Sequence, residues 1–284
     1  MKIIEVLISL FIITINIIHN TFFFLFFLIE FSLIKKIKPA KVSLPVKSIW
    51  YNHQLQWHRW ILTTNYYRKY NQEVKNIDLC HKKHITDETK NEKFICNIIE
   101  VTGIQSSKDN GNEVENLTDF ALRYCNNLIS KENPENMYYN LNWEHYNNIK
   151  EYYKLAWSND IFWMNSGGSH HFSAARYLSM KLNIPITLYG SLSTFAINPE
   201  LVSILNKRWN LFIFQKNQLS THSLKALELF NCSYGLMDVP EGLISIDKKR
   251  LEILVLDKKE IIPNLVGKYL SLLGFTRVGD IIPS

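Results

Sequence analysis

Between Asp160 and Tyr189 the chain switches period twice, and this switch restricts its fold more than any other stretch. Asp160-Ile-Phe-Trp-Met-Asn165 is rich in aromatic and branched residues and reads as a strand. Gly167 and Gly168 follow, and glycine tolerates positive φ and close backbone approach. A helix then opens near Ser169, a suitable N-cap. Its apolar stripe is Ala174, Ala175, Leu178 and Leu182, and it should stop near Asn183, because Pro185 disfavours helix just before it. Ile186-Thr-Leu-Tyr189 reads as a second strand. Strand, glycine turn, helix, strand is the grammar of an α/β domain.

The downstream sequence continues that grammar. Asn198-Pro199 has the form of an N-cap followed by proline at the first helical position, with a helix running on to Lys207. Trp209–Phe214 and Leu251–Leu256 read as strands, and Leu265–Leu273 as an apolar helix stopped by Gly274. Upstream the reading is thinner. Phe94–Val101 is expected to be a strand, Asn116–Ser130 a helix, and Trp143–Trp157 another helix with its aromatics on one side. Residues 65–97 are otherwise polar and lysine-rich and read as loop. Ser106–Asn112 is loop by composition. Trp50, Trp57 and Trp60 are assigned to a core, with a membrane interface as the alternative.

The N-terminal stretch has a different character. Val6–Ile29 carries no charge and ends in Phe22-Phe-Phe-Leu-Phe-Phe-Leu-Ile29. That length matches a bilayer span of roughly 20 residues. A cleavable signal is disfavoured, because the leading segment has one lysine and one acid and no small-x-small site follows. The lysine cluster after residue 34 places the following domain in the cytoplasm by the positive-inside rule. The expected organisation is a transmembrane anchor over 1–34, a basic juxtamembrane linker over 35–47, and one mixed-sheet α/β domain with flanking helices over 48–284. The corresponding localisation is a single-pass protein of a bacterial cell membrane.

Charge and cysteines narrow the function classes. Residues 1–47 hold six lysines against two glutamates, so they supply four of the six net positive charges. The remainder is nearly neutral, without the basic stripe that nucleic-acid binding requires. Cys80, Cys96, Cys125 and Cys232 form no C-x-x-C pair and read as reduced, structural thiols. Cys80, His81, His84 and Cys96 have some zinc-like spacing, but Lys82 and Lys83 oppose a cation and no metal is assigned. The chain has no Gly-x-Ser-x-Gly elbow, Walker loop or dinucleotide glycine motif.

The candidate site is the glycine turn. A helix N-terminus presents backbone N–H groups without intrahelical partners, which suits an anion. Gly167, Gly168 and Ser169 would cradle it, and Ser173 and Arg176 fall on the Ser169 stripe of the helix. His170 and His171 are the candidate catalytic residues. They point to different sides, so one can face a ligand while the other packs. The structural alternative is a tight strand-to-helix connection and nothing more.

Gly167-Gly-Ser-His-His-Phe-Ser-Ala-Ala-Arg-Tyr-Leu178 resembles the Gly-x-His-Arg box of the ParB/sulfiredoxin superfamily, which also follows a strand and opens a helix with an alanine pair. It is similar, too, to a Gly-Gly-Ser-His-His turn in uncharacterised bacterial proteins. The superfamily resemblance implies nucleotide or phosphate binding at the turn. Two departures qualify it. His171 stands where the box has arginine, and Ser169 stands where sulfiredoxin chemistry needs a cysteine. The functional expectation is a membrane-anchored domain that binds a phosphorylated small molecule or nucleotide, with no cofactor specified. The competing expectation is a non-catalytic, membrane-tethered interaction module.

Overall fold

The strand–turn–helix–strand unit is present in the computed structural model, which describes residues 39–45, 48–68, 72–109, 114–143, 150–216, 231–246 and 250–283, with 224, 227 and 228 between them. Two five-stranded sheets and a two-stranded ribbon make up the β structure of the described residues. The ribbon pairs β1 (Val42–Ser43) with β11 (Ile244–Ser245). The first sheet contains β2 (Thr63–Arg68), β3 (Glu73–Asp78), β9 (Trp209–Gln215), β10 (Tyr234–Asp238) and β12 (Leu251–Asp257). Its order is β3-β2-β10-β12-β9, antiparallel throughout. The second sheet contains β4 (Thr86–Asn97), β5 (Gly103–Ile104), β6 (Lys150–Leu155), β7 (Asp160–Trp163) and β8 (Thr187–Ile197). It runs β4-β8-β6-β7-β5 and is mixed, with β8 parallel to β6 and β7 parallel to β5.

Period-two patterning explains the central strands. In β9, Leu211 and Ile213 enter one apolar cluster while Phe212 and Phe214 enter another. In β12, Ile253 and Val255 divide from Leu254 and Leu256 in the same way. Both faces are covered, so these strands read as unbroken apolar runs. The second cluster lies under α6 (Ile261–Leu272), while α5 (Pro199–Arg208) leads into β9. The Asn198 side chain caps α5 by accepting from Leu201 N, as its sequence form requires.

The helices α1 (Leu117–Tyr124), α2 (Asn126–Ile129), α3 (Pro134–Leu141) and α4 (Ser169–Leu182) gather on one face of the second sheet. α4 packs against the other three. Ala174, Ala175 and Leu178 are fully buried, and the two small side chains admit the helix closely to the sheet. On the second sheet's other face lies an aromatic seam, where Tyr51 meets Phe162 and Tyr153, and His58 stacks on Phe195.

Several expectations need correction. No helix among the described residues is long and apolar enough to cross a membrane. Their longest is α4 at 14 residues, against roughly 20 for a span. The structure therefore does not support the expected transmembrane helix or single-pass localisation, and the anchor assigned to 1–34 lies outside the described residues. The linker reading of 35–47 fails where it can be compared, because Ala40 is core and Val42–Ser43 pair with β11. The core assignment of Trp50, Trp57 and Trp60 holds, since all three are buried.

The polar stretch read as loop contains β2, β3 and most of β4. β3 and β4 are sheet edges with mostly exposed side chains, so they carry charge rather than alternation. The helix expected over Trp143–Trp157 is contradicted by β6, whose Tyr152 and Leu155 point to opposite clusters. The single helix expected over Asn116–Ser130 is broken at Cys125 into α1 and α2.

Candidate functional site

The turn before α4 is held by one buried side chain. Asn165 follows β7 and is 3% exposed. Its Oδ1 accepts from Gln105 N and Ser106 N at 3.0 and 3.2 Å, and its Nδ2 donates to Ser106 O and Gly167 O at 2.9 and 3.1 Å. This amide fastens the 105–106 loop to the glycine turn. Gly168 then adopts φ +68°, a left-handed value that glycine meets without a Cβ clash. Gly168 is the N-cap, so Ser169 is the first helical residue and not the cap expected. Among the described residues no side chain caps the helix. Within them the first-turn N–H groups thus meet neither an intrahelical acceptor nor a capping oxygen.

That first turn floors a cleft of about 820 Å³. The walls are residues 106–108, residues 123–128 and Trp143, with residues 166–171 beneath. Lys108 and Arg123 bring positive charge to the lining. Arg123 Nε also donates to Asp119 Oδ1 at 2.7 Å.

The two histidines are held in opposite tautomers. His170 Nε2 lies 2.7 Å from Asp109 Oδ2. An ionised carboxylate only accepts, so the neutral ring carries its proton on Nε2 and leaves Nδ1 as an acceptor toward Ser169 Oγ at 3.3 Å. His171 Nδ1 lies 2.8 Å from Asn140 Oδ1. The Asn140 Nδ2 is spent on Leu128 O and Asn136 O, which fixes its Oδ1 toward the ring and puts the His171 proton on Nδ1. The His171 ring stacks on Trp143 with centroids 4.0 Å apart. Burial first, and then the neighbouring His170, hold the His171 pKa below its ordinary value.

Cys125 approaches this group without being reactive. Its Sγ donates to His170 O at 3.4 Å, and burial, reinforced by Asp109, pushes the thiol up to about 12. A thiol that stays protonated is a weak nucleophile.

The structure gathers Gly167, Gly168, Ser169, His170 and His171 in the cleft lining. Ser173 and Arg176 are not among its lining residues. Ser173 is fully buried. The Arg176 guanidinium donates to Val101 O, Ile99 O and Thr118 Oγ1 at 3.0–3.2 Å, tying α4 to the loop after β4 and to α1. Asp109, Asn140 and Asn165 are the residues that sequence reasoning missed. Asp109 lies 61 positions from its partner, and nothing local announces the pairing. Asn165 left a faint signal, as a polar residue closing an apolar strand just before two glycines. At the earlier zinc candidate, Cys80 Sγ donates to Lys82 O and His84 Nδ1 faces Trp60 O. Among the described residues no group of three or more His, Cys, Asp or Glu is arranged to hold a metal.

Every residue of this cleft falls within the 91–284 span matched by one protein family. The chain belongs to a family of unknown function, DUF6685. The DUF6685 span takes in the second sheet from within β4 onward, the helices α1 to α6, strands β9, β10 and β12 of the first sheet, and β11 of the ribbon. No curated protein and no solved structure matches the chain. Membership in DUF6685 carries no activity with it, and the ParB/sulfiredoxin resemblance rests on residues 167–178 alone.

Proposed function

We propose that the cleft binds a phosphorylated small molecule or nucleotide, with the phosphate seated on the first turn of α4. The observation that carries this reading is an uncapped helix N-terminus at the floor of a large cleft. Oriented N–H groups and the positive end of the helix dipole favour a dianion there. Lys108 and Arg123 add charge from the walls, and Ser169 offers a hydroxyl. His170, oriented by Asp109, is an acid–base group in that same first turn. The Trp143–His171 stack forms an aromatic edge of the same cleft, suited to the organic part of the ligand.

Thermal shift of the full chain against inorganic phosphate, sugar phosphates and nucleotides tests the reading. A ligand at a hundredfold excess over its Kd stabilises by about 2.7 kcal/mol. The expected result is stabilisation by a phosphorylated compound that Gly168→Val abolishes while circular dichroism stays native. A folded Gly168→Val protein that binds as well as the parent would sink the reading.

A further inference from the structure

Ser169, His170 and Asp109 stand in the order that nucleophilic catalysis needs. Ser169 Oγ faces His170 Nδ1 at 3.3 Å, and His170 Nε2 faces Asp109 Oδ2 at 2.7 Å. The carboxylate fixes the tautomer that makes Nδ1 a base toward the hydroxyl. No structural duty consumes the Ser169 side chain. It caps no backbone N–H of α4, and among the described residues its hydroxyl pairs with His170 alone. Both Ser169 and His170 line the cleft, so the hydroxyl adjoins the space a substrate would fill. The competing nucleophile, Cys125, is engaged with His170 O.

We propose that Ser169 is a covalent nucleophile that takes the phosphoryl group of a phosphate monoester and releases it to water. This rests on the phosphate reading of the cleft and adds a reaction to it. Ser169 Oγ attacks phosphorus opposite the bridging ester oxygen. The Oγ–P bond forms, the ester P–O bond breaks, and the hydroxyl proton moves to His170 Nδ1. The resulting imidazolium is paired with Asp109 through Nε2. The departing alkoxide leaves toward the open side of the cleft and takes a proton from solvent. Water then attacks the phosphoserine from that side and gives a proton back to solvent. The Oγ–P bond breaks as Oγ recovers its proton from Nδ1. Ester and water become alcohol and phosphate, with no oxidant, reductant or further reactant. The non-bridging oxygens rest on the first-turn N–H groups, which supply fixed dipoles where charge accumulates.

The test treats the full chain with an alkyl fluorophosphonate, which loses fluoride to an activated serine irreversibly, and maps the adduct by peptide mass spectrometry. Turnover of p-nitrophenyl phosphate and of p-nitrophenyl acetate is measured in parallel. The expected adduct is on Ser169, with the labelling rate down about a hundredfold or more in His170→Ala, the scale of a lost general base. Phosphate turnover should vanish in Ser169→Ala, while inorganic phosphate still raises the melting temperature of that variant, by less than in the parent, since one contact is lost and the first-turn N–H groups remain. An unlabelled Ser169, equal labelling in His170→Ala, or full turnover by Ser169→Ala would overturn the nucleophile. If phosphate stabilises the chain in those cases, the binding reading survives. Labelling of Ser169 with turnover of the acetate only, and no stabilisation by phosphate, would overturn both the phosphoryl step and the phosphate reading.

Discussion

His170 and His58 are half-buried imidazoles, each with a short hydrogen bond on Nε2, and they sit in regions built for opposite ends. His170 meets the Asp109 carboxylate at 2.7 Å, and His58 meets the Tyr51 hydroxyl at 2.6 Å. The difference lies at the other nitrogen. His170 Nδ1 faces a serine hydroxyl at the floor of a cleft. His58 Nδ1 is buried and has no hydrogen-bond partner among the described residues, its ring stacked on Phe195 at 4.2 Å and near Trp157. Burial, then Arg59 and His84, lower the His58 pKa to about 4, so it stays neutral and packs as a ring. A carboxylate partner and an open face suit an imidazole to proton transfer. A phenol partner and apolar walls suit it to structure.

The sharpest way to break this contrast is to exchange the losses. His170→Ala should lower phosphate-ester turnover by about 10²–10⁴-fold, the usual worth of a general base, with little change in melting temperature. His58→Ala should do the reverse, opening a cavity in the seam while turnover per folded molecule holds. Equal effects of both substitutions on both readouts would erase the distinction.

Asn165→Ala comes next. It removes a buried amide that makes four backbone hydrogen bonds. A destabilisation of about 2–4 kcal/mol in urea unfolding is expected, from several lost bonds and the groups left unpaired. Phosphate binding should weaken with it, because the loop bearing Asp109 is untied from the turn. Arg176→Gln should cost about 1–3 kcal/mol through the lost carbonyl contacts. Since Arg176 is outside the cleft lining, phosphate affinity should stay within a factor of about two, less than the tenfold that 1.4 kcal/mol represents. Affinity falling with stability would return Arg176 to the ligand.

The smallest expected effect is one of pH. His58 has a folded pKa of about 4 against an ordinary 6.5, so below 6.5 the unfolded chain binds a proton that the folded chain refuses. Its contribution to stability is full above pH 6.5 and falls as pH drops toward 4. His58→Gln should flatten that part of the melting-temperature profile. A slope unchanged by the substitution would assign it to other groups.

Legibility in the sequence followed locality. The Asn198-Pro199 cap, the β9 and β12 runs and the Gly168–Ser169 turn were readable, because each is written in contiguous residues with a single period. β3 and the part of β4 before Phe94 were not, because edge strands with exposed faces carry no apolar alternation. β6 reads as helix in the sequence because its tyrosines suit either structure, and pairing with β7 and β8 decides between them. The candidate site divides in the same way. Residues 167–171 form one short motif, whereas Asp109 and Asn140 arrive from loops and helices that only the fold brings to the two rings.

The most direct test of the phosphate site is a titration of inorganic phosphate into the ¹⁵N-labelled full chain, followed by amide shifts. The account expects saturable changes concentrated at Gly168, Ser169, His170 and His171, absent in Gly168→Val. Saturable changes confined to other surfaces, or no saturable change at the α4 turn, would contradict it.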